Sequence, residues 1–402
     1  MPGPLPGYKA ARPAPPARPA NWSWRSPRLR GWVYQVIAVA VIAALAWLLI
    51  GNTLHNMRLR GIQSGFDFLG QPAGFDIGEG WLAYDSNNPY WKAFLVGVVN
   101  TLRVAVVGIV CATLIGTLLG VGRFSPNALV RGLCYGYVEL FRNIPVLLQL
   151  LMWYLLFTEY LPLPAEALQV GHLFFLSKNG LSFPALTWEA GHWFAGAGLL
   201  LGCVASYAWA RFARMRFERT GKPLPIAAPV LLLVVGLSWL GWLAGGSPAQ
   251  FSYPQVTELQ VEGGSALSPE YLAVLLGLVF YTSAFIGEVV RAGIASVPQG
   301  QHEASASLGL PRLRAMRLVV LPQALRLIVP PLTNQYLNLT KNSSLAVAVG
   351  YPDVVSIANT SLNQTGRAVE CIAIIMGVYL VLSLLTSALM NLINKRVAIR
   401  ER

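Results

Sequence analysis

Ser296-Val297-Pro298-Gln299-Gly300-Gln301-His302-Glu303-Ala304-Ser305-Ala306-Ser307-Leu308-Gly309, running on to Val319-Val320-Leu321-Pro322-Gln323, is the stretch on which the fold turns. Pro298 and Gly300 interrupt whatever helix precedes them. Residues 301–308, with Glu, Ala, Ser and Leu among them, favour a short helix, and Gly309 permits a turn that a side chain would block. Arg312, Arg314 and Arg317 hold the following amphipathic stretch at a membrane surface, and Leu321-Pro322 restarts an apolar helix. Two short helices joined at a glycine make a compact knob, a shape suited to contact with a soluble partner.

The knob sits between long apolar runs. The chain has 402 residues, 55% hydrophobic and only 12% charged, whereas soluble domains carry about 25% charged residues. The runs are about twenty residues long, the length that crosses a hydrocarbon core. Eight of them fit, near 32–51, 93–121, 133–158, 190–209, 225–245, 271–292, 324–348 and 370–392. The reading is an all-α integral membrane protein with about eight transmembrane helices.

Charge orients it. The formal net charge is +13, and the basic residues fall between apolar runs, which argues for cytoplasmic loops rather than nucleic-acid binding. With both termini inside, 22 Lys and Arg lie in internal segments and 6 in external ones, and the external segments hold 12 of the 17 acids. The chain then divides into a disordered cytoplasmic N-tail (1–31), a peripheral transmembrane helix (32–51), a periplasmic segment (52–92), a first core part (93–158), an insertion with two extra transmembrane helices (159–270), and a second core part (271–395) carrying the knob at 294–322. Arginines before an apolar run also mark signal peptides, and Ala44-Leu45-Ala46 offers a cleavage pattern. Trp47-Leu48-Leu49-Ile50 extends the run past it, which favours an uncleaved span.

Cys111, Cys134, Cys203 and Cys371 form no C-x-x-C pair, and His55, His172, His192 and His302 are scattered. They read as ordinary packing residues; no metal and no cofactor are expected. There is no G-x-x-x-x-G-K-[ST] phosphate loop, so the chain is not expected to hydrolyse nucleotide itself.

The knob resembles the EAA loop of binding-protein-dependent ABC importers, whose pattern is E-A-A-x3-G-x9-I-x-L-P. Glu303, Ala304, Ser305, Gly309, Val319, Leu321 and Pro322 stand in register, with Ser305 for Ala and Val319 for Ile. That likeness implies a type I importer permease core, with residues 301–312 as the coupling helix for separate ABC ATPase subunits. Three further stretches are similar to polar amino-acid permeases of the histidine, glutamine and glutamate type. They are Asn100-Thr101-Leu102-Arg103-Val104-Ala105, Glu139-Leu140-Phe141-Arg142-Asn143-Ile144-Pro145-Val146-Leu147-Leu148-Gln149, and Lys341-Asn342-Ser343-Ser344-Leu345 with Gly350-Tyr351-Pro352-Asp353. The eight-span layout and Leu362-Asn363-Gln364-Thr365-Gly366 look closer to general L-amino-acid permeases. The resemblance covers roughly 91–158 and 271–395. It implies a second, related permease subunit, hence a heterodimer, and a periplasmic amino-acid-binding protein, with an amino acid as cargo, the whole set in inner-membrane lipid. The neighbouring expectation is an importer for another small polar solute such as an opine. An ion-coupled secondary transporter needs membrane-depth acids, and only Glu139 lies well inside a span.

Within the seventh span, Asn334, Asn338 and Lys341 recur at i, i+4, i+7 on one helix face, widened by Gln335 and Asn342. Such a stripe either binds helices together or lines a hydrated route for a polar solute. Glu139 and Arg142, at i and i+3, can pair on one face or contact a zwitterion, and Arg103 is an alternative partner for Glu139. Gly116 and Gly120 suggest close helix packing.

Overall fold

The computed structural model describes residues 27–59, 61, 64–257 and 261–397. The N-tail expected to be disordered lies almost wholly outside them. Residues 1–65 form one compact unit and 66–402 another. The described part of the first unit is essentially one helix, α1 (Pro27–Leu59), whose stretch Leu29–Met57 is long and apolar enough to cross a membrane.

The second unit holds α2 (Tyr90–Gly122), α3 (Ala128–Asn143), α4 (Val146–Leu155), α5 (Gly191–Thr220), α6 (Ala227–Ala244), α7 (Pro269–Ala295), α8 (Gln299–Ser307), α9 (Arg312–Ala315), α10 (Leu321–Asn342), α11 (Val354–Thr365) and α12 (Ala368–Val397). Among the described residues of the whole chain, seven helical stretches can cross a membrane, and the bent pair α3–α4 makes an eighth if counted as one span.

Helix α7 is the centre of the core. It packs against α2, α4 and α10, and Val274, Leu278 and Ile286 are fully buried with Val104, Ala112, Leu150 and Leu339. Its contact with α2 is set by two missing side chains. A Cβ at Gly116 would stand 2.7 Å from the Ile286 Cβ, and one at Gly120 would stand 2.7 Å from the Gly287 carbonyl oxygen. Without a hydrophobic force between helices in lipid, this close backbone approach is what supplies contact energy.

The single crossing expected over 133–158 is broken. α3 and α4 meet at 102° across Ile144-Pro145. Pro145 has no N–H to continue the ladder and drives the residue before it out of the helical region; Ile144 sits at φ −100° and ψ 127°. The carbonyls so freed do not stay unpaired, because the buried Gln149 amide donates to Phe141 and Ile144 at 2.9 Å each.

The insertion is more than two helices. α5 and α6 pack chiefly on each other through small residues: Gly198 meets the Leu237 backbone and Gly241 the Phe194 backbone. Their outer surfaces expose Trp193, Leu200, Val204, Leu232 and Trp239, as lipid-facing helices do. Among the described residues, eight short strands accompany them. β1 (Leu168–Val170), β2 (Phe174–Ser177) and β3 (Gly180–Phe183) form an antiparallel sheet with β8 (Ser265–Leu267). β4 (Ala185–Leu186) pairs with β5 (Phe251–Ser252), and β6 (Gln255–Val256) with β7 (Val261–Glu262). Leu176, Leu181 and Leu267 of the larger sheet pack on Phe157, Leu272 and Ala273. The all-α expectation therefore holds for the membrane part and misses these strands, which are too short to show a period.

Candidate functional site

At one end of the core the knob has a definite shape. α8 ends at Ser307, and Gly309 takes φ +68°, a left-handed turn that reverses the chain. The Gly309 N–H donates to the Ala306 carbonyl at 2.9 Å and Leu310 to Ser305 at 3.1 Å. Ser305 is the buried member of the motif, its hydroxyl donating to the His302 carbonyl; Glu303, Ala304 and Gly309 are exposed. Leu308 and Leu313 stand 79% and 82% exposed beside them, which makes the tip apolar. A cavity of about 360 Å³ runs beneath, lined in part by His302, Ser305, Leu310 and Val320.

The knob is tied to the core rather than hung from it. Gln323 of α10 donates to Gln301 of α8 at 3.1 Å. Leu321 and Pro322 open α10, and the π-helical turn before them, Met316–Val320, buries Val320 in the main core. α8 is thus joined to the start of α10 both by this bond and through the turn that precedes it.

Farther along α10, the polar stripe divides. Gln335, Asn338 and Asn342 line a cavity of about 260 Å³ with Tyr281, Thr282 and Phe285 of α7. Asn334, Asn338 and Lys341 face outward and are exposed. Among the described residues no carboxylate comes within ion-pair reach of Lys341. An exposed amide and ammonium stripe on a spanning helix is costly against lipid, so another surface or water must meet it.

The pair expected between Glu139 and Arg142 does not form. Asn143 turns back to bond the Glu139 carbonyl at 2.8 Å and its carboxylate at 3.4 Å. Arg142 lies over the Phe285 ring at 5.2 Å and 4.0 Å from Glu288. Glu288 is the hub there: Arg123 reaches it at 2.5 Å, and Arg291 binds it one turn on. Three guanidinium groups share one carboxylate. Arg103 does not reach Glu139 either, because it pairs with Glu79 at 2.6 Å.

That Arg103–Glu79 pair belongs to a latch at the opposite end of the core. Arg103 is buried between Glu79 and the face of Tyr271, 4.1 Å from its ring. Ser268 donates to the same carboxylate. Asn100 donates to the Glu79 and Pro352 carbonyls at 2.9 Å each. Three chain segments thus meet: the loop before α2, the start of α7, and the turn into α11. An open cavity of about 430 Å³ is lined here by Asp76, Glu79, Glu270 and Ser356, among others. Nearby, Arg367 grips Asp67 at 2.8 and 3.0 Å, and its hydrogen bonds hold that carboxyl below the usual carboxylate range. Asp353 caps α11 by accepting from the Ser356 N–H at 2.8 Å, yet burial pushes its carboxyl up to about 7.

Sequence reasoning missed Glu79, Asp67 and the Glu288 hub. Glu288 and Arg291 lie one turn apart on α7, but the other partners of Glu288, Arg123 and Arg142, come from the end of α2 and from α3. Among the described residues no cluster of His, Cys, Asp and Glu could hold a metal ion.

A family model described as the inner membrane component of binding-protein-dependent transport systems matches residues 197–399. The chain is 44% identical over 391 residues to the general L-amino acid transport system permease protein AapQ of Rhizobium johnstonii, covering 96% of this chain and 98% of that protein. It is 44% identical over 384 residues to the putative amino-acid ABC transporter permease YhdX of Escherichia coli, covering 94% and 97%. It is 38% identical to the glutamate/glutamine/aspartate/asparagine transport permease BztB of Rhodobacter capsulatus, covering 93% and 95%.

Proposed function

This chain belongs to the family of inner membrane components of binding-protein-dependent transport systems, and from that premise we propose that it is the permease subunit of an importer moving L-amino acids into a bacterial cell. Identity of 44% across nearly the whole length to a general L-amino-acid permease supports that cargo class. ATP is hydrolysed by separate ABC subunits, which grip the knob at Glu303, Ala304, Ser305 and Gly309. Leu321 and Pro322 begin the helix that carries the motion. The charge bias supports a cytoplasmic knob and cytoplasmic termini, and on that orientation the latch beside Glu79 faces an amino-acid-binding protein outside.

The observation that carries the coupling is the construction of the knob. Its tip is apolar and exposed while its base is locked to α10 by Gln301–Gln323 and by buried Val320. Closure of the ATPases pushes the tip, α10 moves with it, and the α10 stripe moves against its neighbour. That neighbour is a second, related permease chain, which covers the exposed Asn334, Asn338 and Lys341. A route between two permeases, lined by these residues with Asn342, offers amides for a cargo's polar groups and one cation for its carboxylate. Arg142 touches Phe285 at the wall of the same cavity, and Glu139, one turn before it on α3, is proposed with it as a second group for the cargo.

The test uses the assembled transporter. Gly309→Lys puts a side chain at φ +68°, where it is strained. The variant is expected to insert in the membrane normally but to co-purify with at least about tenfold less ATPase, a loss of about 1.4 kcal/mol or more. Normal ATPase recovery with the variant contradicts the reading.

A further inference from the structure

At the far end of the insertion, Tyr207, Ala210, Arg211, Arg214 and Met215 fall at i, i+3, i+4, i+7 and i+8, one face of α5. With Ile226 they enclose a groove of about 460 Å³ between α5 and the start of α6. The groove is built: the Trp209 indole N–H donates to the Pro225 carbonyl at 3.2 Å and Ser206 to Val230 at 3.2 Å, fixing the two helices on either side. Among the described residues neither Arg211 nor Arg214 pairs with a carboxylate. Residues 211–222 carry five Lys and Arg against one acid, Glu218.

Depth identifies the ligand. Twenty residues separate Gly191, the start of α5, from Arg211; at 1.5 Å per residue that is about 30 Å, the thickness of a hydrocarbon core. Arg211 then lies at the hydrocarbon boundary and Arg214 one turn into the headgroup layer. The same helix face continues inward through Val204 and Leu200, 67% and 69% exposed, an apolar track one acyl chain wide. A soluble anion would use the guanidinium pair and leave this track bare; a lipid uses both.

We propose that the α5–α6 groove is a binding site for an anionic phospholipid, whose phosphate is held by Arg211 and Arg214 and whose acyl chain lies along Val204 and Leu200. Guanidinium groups match phosphate oxygens with paired, charge-assisted hydrogen bonds, and Tyr207 and Ile226 wall the glycerol region. With the charge-derived orientation, the lipid belongs to the cytoplasmic leaflet, where basic pockets between helices take acidic headgroups.

Native mass spectrometry of the permease complex, purified in mild detergent with phosphatidylglycerol, cardiolipin or phosphatidylethanolamine added, tests this. The unchanged protein retains phosphatidylglycerol or cardiolipin in preference to phosphatidylethanolamine. Arg211→Gln with Arg214→Gln lowers that retention about tenfold or more, as loss of two charge-assisted donors requires. Arg216→Gln with Arg219→Gln removes equal charge outside the groove and leaves retention unchanged. Equal losses in the two double variants, no headgroup preference, or displacement of the lipid by inorganic phosphate beyond the effect of chloride at equal ionic strength overturns the proposal. Circular dichroism of both variants checks that the helices are intact. Retention is read without reference to membrane sidedness, so this result and a topology measurement can fail separately.

Discussion

Asp353 shows how a single residue can serve two requirements that conflict. Its side chain satisfies an open N–H at the start of α11, but it is fully buried, and burial disfavours its charge. Its carboxyl titrates at about 7 in the folded protein, against about 4 in an unfolded chain. Between those values the folded state holds the proton that the unfolded state has released. Stability from this group is therefore full below about pH 4 and declines as pH rises to 7. Asp353→Asn keeps the cap, since Asn and Asp cap alike, and removes the titration. The variant is expected to melt higher than the parent at pH 8, with the gap narrowing steadily as pH falls and closing near pH 4; an unchanged gap across that range refutes the reading. Arg103 and Glu79 make the complementary case. Both are largely buried, at 7% and 14% side-chain exposure, so Glu79→Gln leaves a buried guanidinium unpaired and should cost about 3–5 kcal/mol. Adding Arg103→Met should recover most of the loss in a thermal melt, because the neutral side chain still fills the space against Tyr271. A double variant no better than the single one shows that the pair was not the source of the loss. Neither residue could be given its partner from the sequence. Glu79 lies 24 positions from Arg103, and Asp67 lies 300 from Arg367. Local spacing carries no information about such contacts.

At the scale of elements, local rules were enough wherever the decisive interaction was local. Gly309, at the end of a helix-favouring stretch, permits a turn, and it takes a left-handed one. Gly116 and Gly120 mark a tight crossing, and the α2–α7 contact is that crossing. The α3–α4 bend was equally written in Pro145, but the apolar residues on both sides of it, with the right total length for one crossing, read as a single span. The strands of the insertion could not be read at all. β3 pairs with β8 more than eighty residues later, and each strand is four residues or shorter. The face of the polar stripe on α10 was legible from spacing, while only the fold separates half-buried Gln335 and Asn342, at a cavity with α7, from exposed Lys341, and shows exposed Asn338 lining that cavity too. Lining and gluing predict different outcomes. Asn338→Ala with Lys341→Ala is expected to lower amino-acid uptake about tenfold or more in membrane vesicles, with the amount of assembled complex unchanged. Loss of assembly instead assigns the stripe to holding chains together, and unchanged uptake and selectivity remove it from the route.

For the whole molecule, the arrangement is a core of helices around α7 with a handle at one end and a latch at the other, and an insertion packed chiefly on itself. Handle and latch both engage α7 and its neighbours, so a push at α8 and a contact beside Glu79 act on one packed body. Reciprocity then follows: if ATPase closure alters what the outer face binds, a loaded binding protein must alter the free energy of ATPase closure by the same amount. Adding amino-acid-loaded binding protein to the reconstituted transporter should raise ATP hydrolysis several-fold, while the unliganded form has a smaller effect; equal stimulation by both forms would falsify such linkage. All of this depends on what the exposed tip of the handle touches. A photo-activated cross-linking side chain placed at exposed Ala304, in membranes of cells making the complete transporter, measures that contact directly. The account predicts a covalent product with a nucleotide-hydrolysing subunit on the cytoplasmic side. No such product, or one with a protein of the external face, contradicts it.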